Sequence, residues 1–253
     1  MSIMDSFLKD GKPFITVADT YRKSDVRFRS FIVTFSFRTI EALLEDGLIE
    51  TVSENGIRSI SCNYPVYRFV GTDIGLVKTT VGAPITSVLI EEVSYIYSCN
   101  KAVLFGTCGS LDRSIPKNRL IVPTSAYRDE GTSYHYMEPS DYIEIGNHQK
   151  VCEILDQIGV GYVTGKTWTT DAFYRETAEE IGRRRSEGCI AVEMELSACQ
   201  AVCNFAGIEL YGFLYRADNL DSESWEKGQR DSLLSKDDRL AILNVAFEIA
   251  KRI

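Results

Sequence analysis

The sequence predicts an α/β fold of three layers, in which a mixed, mostly parallel central sheet is flanked by helices. Two observations carry this prediction. Short apolar runs typical of buried strands alternate with segments whose apolar residues recur at helical spacing, and the alternation continues to the C-terminus. No internal repeat and no linker rich in proline, glycine or serine divides the 253 residues, so we expect a single domain over residues 1–253.

In the first half of the chain, the pattern becomes readable after a polar stretch over residues 1–30. A short helix is predicted over 40–47, closed by Gly47, and a longer helix begins at Pro84 with apolar residues along one face. Strands are predicted at FIVTF (31–35), VYRFVG (66–71), IGLVKTT (74–80) and AVLFG (102–106).

The second half continues the alternation of strands and helices. Helices are predicted over 151–159, over about 193–206, and from a capping box at Ser235 and Asp238 to Lys251 and Arg252. The polar segment 221–236 is either a loop or a frayed helix, placed where α/β proteins bind ligands. Strands are predicted at LIVPTSAY (120–127), VGYVTGKTWT (160–169), CIAV (189–192) and ELYGFLYRA (209–217).

Composition excludes several classes of function. A net charge of −8 argues against a nonspecific grip on nucleic acid or on an acidic membrane. No apolar run is long enough to span a bilayer, and the N-terminus lacks the apolar core of a signal peptide, so we expect a cytoplasmic protein. The seven cysteines form no CxxC pair and only two histidines accompany them, which favours buried free thiols and no metal site.

Two motifs follow predicted strands and contain groups suited to a polar ligand. GTCGSL (106–111) comes directly after AVLFG, and there Thr107 offers a hydroxyl and an amide to an anion. A tight turn without a ligand is the alternative. In AVEMELSA (191–198), Glu193 and Glu195 flank Met194 where a strand passes into a helix. A solvated helix start explains this pattern less well than a sugar site, in which carboxylates accept from vicinal hydroxyls and methionine lies on the sugar face.

Three further motifs lie after strands. Asp218, in YRADNL (215–220), is either a helix cap or a general acid that hydrogen-bonds a leaving base. In TTDAFYRET (169–177), Phe173 or Tyr174 is either a core residue or an aromatic that stacks on a heterocycle. YRDEGTSYHY (127–136) is rich in rings and charges and is typical of a pocket wall or a subunit contact.

Taken in order, GxP, GTCGSL, RDEGTS, TD-x-FY, VEMExxA and xDN resemble the nucleoside phosphorylase superfamily. This superfamily includes uridine phosphorylases, bacterial purine nucleoside phosphorylases and adenosylhomocysteine-type nucleosidases. The resemblance extends from about residue 71 to the C-terminus and is most specific at VEMExxA. It implies cleavage of the N-glycosidic bond of a nucleoside, with phosphate as co-substrate and no other cofactor.

The resemblance also implies roles for individual residues. Glu195, supported by Glu193, would accept hydrogen bonds from the ribose hydroxyls while Met194 lies against the sugar. The base, expected to be a purine, would stack on Phe173 and contact Asp218 and Asn219, with Asp218 as the acid. Phosphate would contact Gly106, Thr107 and Arg38, the last being the one residue of an early Gly-Asp-Pro-x-Arg motif retained in TFSFR (34–38). His135 would reach the 5′ position or a neighbouring subunit.

The sequence departs from the resemblance at Leu104, where phosphorylases carry an arginine that binds the phosphate dianion. Nucleosidases also lack this arginine and use water, so hydrolysis is the first alternative. A uridine phosphorylase and a nucleoside-binding protein without turnover are the others. The resemblance further implies a homo-oligomer, either a dimer or a hexamer built as a trimer of dimers, with no nucleic acid or membrane partner.

Overall fold

A computed structural model describes residues 2–60, 62–221, 225–226 and 234–253, and a ten-stranded sheet forms its centre. The strands are β1 (Ser30–Thr34), β2 (Ile49–Arg58), β3 (Asn63–Phe69), β4 (Ile74–Lys78), β5 (Lys101–Ser110), β6 (Leu120–Asp129), β7 (Tyr142–Glu144), β8 (Tyr162–Thr170), β9 (Cys189–Glu193) and β10 (Glu209–Asn219). The helices are α1 (Val17–Thr20), α2 (Phe37–Glu45), α3 (Ala83–Ile96), α4 (His148–Gln157), α5 (Ala178–Ser186), α6 (Leu196–Ala206) and α7 (Lys236–Arg252).

The sheet has two parts that meet at β5. Strands β10, β6, β8, β9 and β5 form a closed circuit in which each strand pairs with the next and β5 pairs again with β10. From β5 an open sheet continues through β1, β4, β3 and β2, and β7 adds to β6. Pairing is parallel for β1–β4, β1–β5, β5–β10, β6–β8 and β8–β9, and antiparallel for β10–β6, β2–β3, β3–β4, β5–β9 and β6–β7.

Helices cover both faces of this sheet because side chains alternate between the faces along each strand. In β1, Phe31 and Val33 pack in the cluster that contains the buried residues of α3 and α6, whereas Ile32 packs with those of α2, α4 and α7. All three side chains are fully buried. The predicted α/β class, a mixed sheet flanked by helices, is thereby confirmed.

All the predicted strands and helices are present, with differences at their ends. The strand predicted at 102–106 continues to Ser110, so Gly106 and Thr107 lie inside β5 and not in a turn after it. The first predicted helix begins at Phe37, where Ser36 accepts a hydrogen bond from the Thr39 amide as its cap. Strands β2 and β7 and helix α5 were not predicted. Of the segment 221–236, residues 222–224 and 227–233 lie outside the described residues.

The seven cysteines, all of them among the described residues, form no disulfide. Five of the seven cysteines are buried, Cys152 is partly buried and Cys62 is exposed. Within the described ranges, no helix combines the length and the apolar character needed to cross a membrane.

Candidate active site

The predicted site residues gather where β8, β9 and β10 end and where β5 passes beside them. The register places Glu193 of β9 beside Thr169 of β8. It also places Gly109 of β5 beside both Val192 and Asp218. The ends of these strands therefore bring the sugar motif and the predicted acid to the same edge of the sheet.

Glu193 is a buried carboxylate that holds the start of α6. One oxygen, Oε2, accepts hydrogen bonds from the amides of Glu195 and Leu196 at 2.8 and 2.7 Å, and Oε1 accepts from Thr169 Oγ1 at 2.5 Å. Burial raises the pKa of Glu193 to about 7, although these donors oppose the shift. With both oxygens occupied by the protein, Glu193 positions the segment that follows it.

Glu195 lies at the first residue before α6 and is only 8 % exposed. Its Oε1 accepts a hydrogen bond from the Gly82 amide at 2.7 Å, which ties it to the loop between β4 and α3. Burial raises its pKa to about 8, and the charge of Glu193 adds to the shift. A solvated helix start is excluded, because a solvated carboxylate would be neither buried nor desolvated in this way.

Met194 lies between the two carboxylates and is partly exposed, unlike both of them. Further along the motif, Ser197 donates from its amide to Thr169 Oγ1 at 3.0 Å and from its hydroxyl to Glu130 Oε1 at 2.9 Å. Glu130 belongs to the predicted loop RDEGTS and is 6 % exposed. Glu130 is therefore an internal contact that stabilises the start of α6.

One edge of β5 is unpaired beside this motif. β10 runs along the whole of β5, while on the other side β1 pairs only with residues 102–104 and β9 only with residues 109–110. No strand of the described chain covers 105–108 on that side, and Thr107 is exposed there. Free peptide groups at a strand edge are suited to an anion. The backbone at Thr107 is extended within β5, so the alternative of a tight turn is wrong.

Two residues of TFSFR flank this edge. The Phe35 ring packs so closely on Gly106 that an added Cβ would lie 3.0 Å from its Cε2 atom. Arg38 is exposed in the first turn of α2.

Leu104 is 3 % exposed and packs in the core. The position that the resemblance assigns to an arginine therefore belongs to the core.

Asp218 is positioned by an irregularity in β10. The register with β5 shifts between Arg216 and Asp218, so one extra residue bulges out and changes the direction of the side chains that follow. Gly109 lies opposite Asp218, and its lack of a side chain leaves room for the Asp218 carboxyl group. A Cβ atom at this position would lie 3.2 Å from Asp218 Oδ1 and only 2.5 Å from Leu220 Cδ1. Trp225 Nε1 donates to Asp218 Oδ2 at 2.7 Å.

A cavity of about 1180 Å³ opens beside Asp218. Its lining combines rings, aliphatic side chains and charges, and is formed by Arg113, Phe173, Tyr174, Glu176, Ala178, Ile181, Gly182, Arg185, Asp218, Leu220, Asp221, Trp225 and Glu226. Phe173 is 41 % exposed in a 3₁₀ turn over Phe173–Arg175, and its ring meets that of Tyr174 edge-on. The sugar motif adjoins this cavity through Val192 and Gly109. The residues predicted to bind the base and the residues predicted to bind the ribose therefore lie next to each other, on the two sides of β5.

Two predicted residues have other surroundings. Asn219 is 2 % exposed, and its side chain donates to Glu226 Oε2 at 3.0 Å and accepts from the Asp221 amide at 3.3 Å. Its side chain is therefore engaged by neighbouring residues of the protein, and contact with a base stays a prediction. His135 is exposed at the end of the 3₁₀ turn Thr132–His135, and the Tyr136 ring that follows packs on Phe205 of α6.

The sequence also matches a known family. A model of the Phosphorylase superfamily matches residues 32–247. The chain belongs to this superfamily. Among curated relatives, this superfamily member is 24% identical over 210 residues to a purine nucleoside phosphorylase of DeoD type from Alkaliphilus metalliredigens, covering 79% of the chain and 88% of the relative. It is 28% identical over 145 residues to a guanosine phosphorylase from Halorubrum lacusprofundi, covering 54% of the chain and 58% of that protein's length.

Solved structures of other superfamily members share the fold. The purine nucleoside phosphorylase from Toxoplasma gondii in complex with immucillin-H superposes with a TM-score of 0.70 and 21% identity, covering 91% of this chain and 93% of that one. The AMP nucleosidase from Bacteroides thetaiotaomicron superposes with a TM-score of 0.68 and 16% identity, covering 89% and 90%. Phosphorolytic and hydrolytic enzymes thus share this architecture.

Sequence reasoning missed residues that complete the site. Glu176 and Trp225 line the cavity with Asp218, and Gly82 and Thr169 hold the two carboxylates of the sugar motif. A tryptophan inside the polar segment 221–236 was the available signal for Trp225. Glu176 follows the predicted stacking residue by three positions, and the sequence motifs assign it no role.

Proposed function

We propose that this superfamily member cleaves the N-glycosidic bond of a purine nucleoside with inorganic phosphate, giving the free base and ribose 1-phosphate. The observation that carries the proposal is the burial of Glu195, whose carboxyl group the fold keeps desolvated at the start of α6. Burying a carboxyl group is unfavourable unless a partner compensates, so such a group at the end of a strand is typical of a site for a ligand.

At the sugar, Glu195 would accept hydrogen bonds from the 2′- and 3′-hydroxyls, and Met194 would lie against the ring. Breaking the C1′–N bond places positive charge on the ribose, as in glycoside cleavage. The positive charge that grows on the ribose favours the ionised form of Glu195, and a carboxylate in a desolvated site interacts with that charge more strongly than it would in water. Glu195 therefore stabilises the transition state more than the bound nucleoside. Glu193 contributes by fixing the backbone on which Glu195 stands.

At the base, Phe173 would stack on the heterocycle and Asp218 would hydrogen-bond the leaving group. Asp218 is suited to this task because the bulge in β10 and the space at Gly109 direct its carboxyl toward the cavity. Protonation of the departing base, or a hydrogen bond to it, lowers the barrier to its departure. We infer a purine because Asp218 is the acid that the resemblance assigns to purines.

At the nucleophile, phosphate would bind along the free edge of β5. Gly106 and Thr107 offer peptide groups and a hydroxyl there, and Arg38 supplies positive charge from the first turn of α2. No other cofactor is part of the proposal. Within the described ranges, no group of three or more histidine, cysteine, aspartate or glutamate side chains is placed to hold a metal ion.

Hydrolysis is the second candidate, and two contacts favour it. The Phe35 ring lies against Gly106, at the edge where phosphate would bind, and Leu104 packs in the core where an arginine would reach the anion. An apolar ring in that position lowers the affinity for a dianion, and a water molecule needs less room and less charge. The two candidates share the sugar and base sites and differ only in the nucleophile.

A panel of nucleosides incubated with and without inorganic phosphate tests both candidates. Phosphorolysis predicts base release that depends on phosphate and forms ribose 1-phosphate, whereas release at the same rate without phosphate assigns water as the nucleophile. Preference for uridine over purines would contradict the proposed base. Nucleoside binding without base release in either condition would show a binding protein.

We also propose that the protein works as a homo-oligomer with His135 near the 5′ position of a neighbour's nucleoside. His135 is exposed and is therefore free to meet another subunit. Sedimentation analysis tests the assembly. His135→Ala with an unchanged KM for nucleosides and for their 5′-deoxy analogues would contradict the proposed contact.

A further inference from the structure

The charges around the cavity beside Asp218 do not balance. Its lining contains two arginines and four carboxyl groups. Arg185 pairs with Asp221 at 2.6 Å, and Arg113 pairs with Glu226 at 3.6 Å. Among the described residues of the lining, these pairs occupy both arginines and leave Glu176 and Asp218 as two acidic groups that face the same cavity.

Glu176 is the less expected member of this pair. It is half-buried, and no group of the described residues donates a hydrogen bond to its carboxyl group. Asp218, in contrast, accepts a hydrogen bond from Trp225 Nε1 at 2.7 Å. A partly buried carboxyl group that faces a cavity without a protein partner is suited to a ligand or to a proton.

Electrostatics determines which carboxyl group carries the proton. Burial raises the pKa of Glu176 to about 7, and the negative charge of Asp218 adds to the shift. Two like charges that face one cavity disfavour the doubly ionised state, so a proton is retained on Glu176 near neutral pH. Of the basic groups described in this segment, Arg183 and Arg184 pair with Glu187 and Arg185 pairs with Asp221. Arg175 precedes Glu176 and is exposed at the end of the 3₁₀ turn.

We propose that Glu176 and Asp218 form a carboxyl–carboxylate pair that stores one proton and passes it, through Asp218, to the departing base. This inference rests on the proposed cleavage of a nucleoside. When the C1′–N bond breaks, its electron pair goes to the base, the stored proton moves to the base, and both carboxyl groups are left ionised. Solvent at the cavity mouth then returns a proton to the pair. Glu176 acts through Asp218 and is a positioning residue.

The variant Glu176→Gln tests the pair, because glutamine keeps the size of the side chain but stores no proton. Glu179→Gln is the matched control, since Glu179 is exposed in the first turn of α5 and does not line the cavity. Each protein is assayed from pH 5 to 9 with inosine or adenosine, whichever the parent cleaves faster, and with 4-nitrophenyl β-D-riboside. The nitrophenolate leaves without a proton, so its release bypasses the pair.

For the parent, kcat/KM on the purine nucleoside falls as the pH rises through about 7, where Glu176 loses its proton. Glu176→Gln lowers this kcat/KM by roughly 10-fold or more at pH 6, removes the fall near pH 7, and changes release of nitrophenolate by less than about 3-fold. The control behaves as the parent. The ratio of the two substrates within one variant is independent of the fraction of protein that is folded.

Two results would overturn the pair while leaving nucleoside cleavage intact: a Glu176→Gln profile that still falls near pH 7, or equal losses on both substrates. A parent that releases no base from any nucleoside overturns the pair together with the proposed function. The two failures are therefore distinguishable in one set of assays.

Discussion

The two ends of the candidate site are built differently. At the sugar end, Glu193 and Glu195 are 5 % and 8 % exposed and are held by backbone amides and threonine hydroxyls. At the base end, Phe173 and Trp225 are 41 % and 45 % exposed and lie in segments that follow strands. The fold thus buries the groups that would meet the ribose and leaves the groups that would meet the base exposed.

This difference parallels what the relatives' names say of those proteins. They name guanosine, purine nucleosides, uridine and AMP on one common architecture. Catalytic demands on the ribose are the same for all such substrates, whereas the base varies. We therefore expect substitutions at the sugar end to affect every substrate equally, and substitutions at the base end to affect substrates selectively.

Glu195→Gln should give the largest loss of activity. Glutamine still accepts a hydrogen bond from the Gly82 amide, so the fold is retained, but the charge opposite the cationic sugar is lost. We expect kcat/KM to fall about 10²–10³-fold on every substrate, measured with a purine nucleoside and with 4-nitrophenyl riboside. Activity near that of the parent, or a loss on one substrate alone, would contradict the ribose role.

Asp218→Asn should give the next largest effect, and a selective one. We expect roughly a 10²-fold loss of kcat/KM on a purine nucleoside, because the base then leaves without its acid, and a much smaller loss on 4-nitrophenyl riboside. Trp225 can still donate to the asparagine oxygen, so the loop keeps its contact. Equal losses on both substrates would place Asp218 outside acid catalysis and would erase the contrast between the two ends.

Gly109→Ala tests whether the two ends are coupled through β5. The added methyl group would lie 2.5 Å from Leu220 Cδ1 and 2.9 Å from Val192 Cγ1, so both neighbours must shift. We expect overpacking to lower the free energy of unfolding by about 1–3 kcal/mol and to lower kcat/KM roughly 10-fold by displacing Asp218. Urea denaturation and steady-state kinetics measure these effects. Gly146→Ala, where a Cβ meets nothing within 4 Å, is the control.

The smallest expected effect is on stability and depends on pH. The pKa of Glu195 is raised to about 8 in the folded chain, so the folded state holds a proton that the unfolded state releases. Because the folded state retains this proton, the free energy of unfolding falls as the pH rises from about 4.5 toward 8. Glu195→Gln should melt roughly 2–4 °C above the parent at pH 8.5 and with little difference at pH 5. A constant difference across pH would contradict burial as the cause.

The framework of the fold was predictable because its strands are buried apolar runs and its helices are amphipathic. FIVTF and AVLFG are examples, and each lies where the sequence indicated. Helix α5 was missed because Ile181 is its one apolar side chain apart from alanine, so hydrophobic periodicity gives no signal. The capping box formed by Thr177 and Glu180 was the only mark of its start. Strand β7 was missed because three residues are too few to show a pattern.

The candidate site was predictable to the extent that it follows contiguous motifs. VEMExxA identified a segment whose two carboxylates are indeed buried together. The direction of Asp218 depends on a register shift between β10 and β5, and the environment of Glu176 depends on charges from three separate segments. Both properties depend on strand pairing and burial in three dimensions, so no contiguous motif in the sequence indicates them.

β10 pairs with strands on both of its sides, and this affects where directed evolution can change the substrate range of the protein. β10 is hydrogen-bonded to β5 along its length and to β6 at Tyr215, so the residues that follow β10 start from a strand that is fixed by its neighbours. Random libraries at Asp221, Trp225 and Glu226 should therefore return many folded variants with altered substrate range. Libraries at Thr169 and Ser197, which are fully buried, should return few.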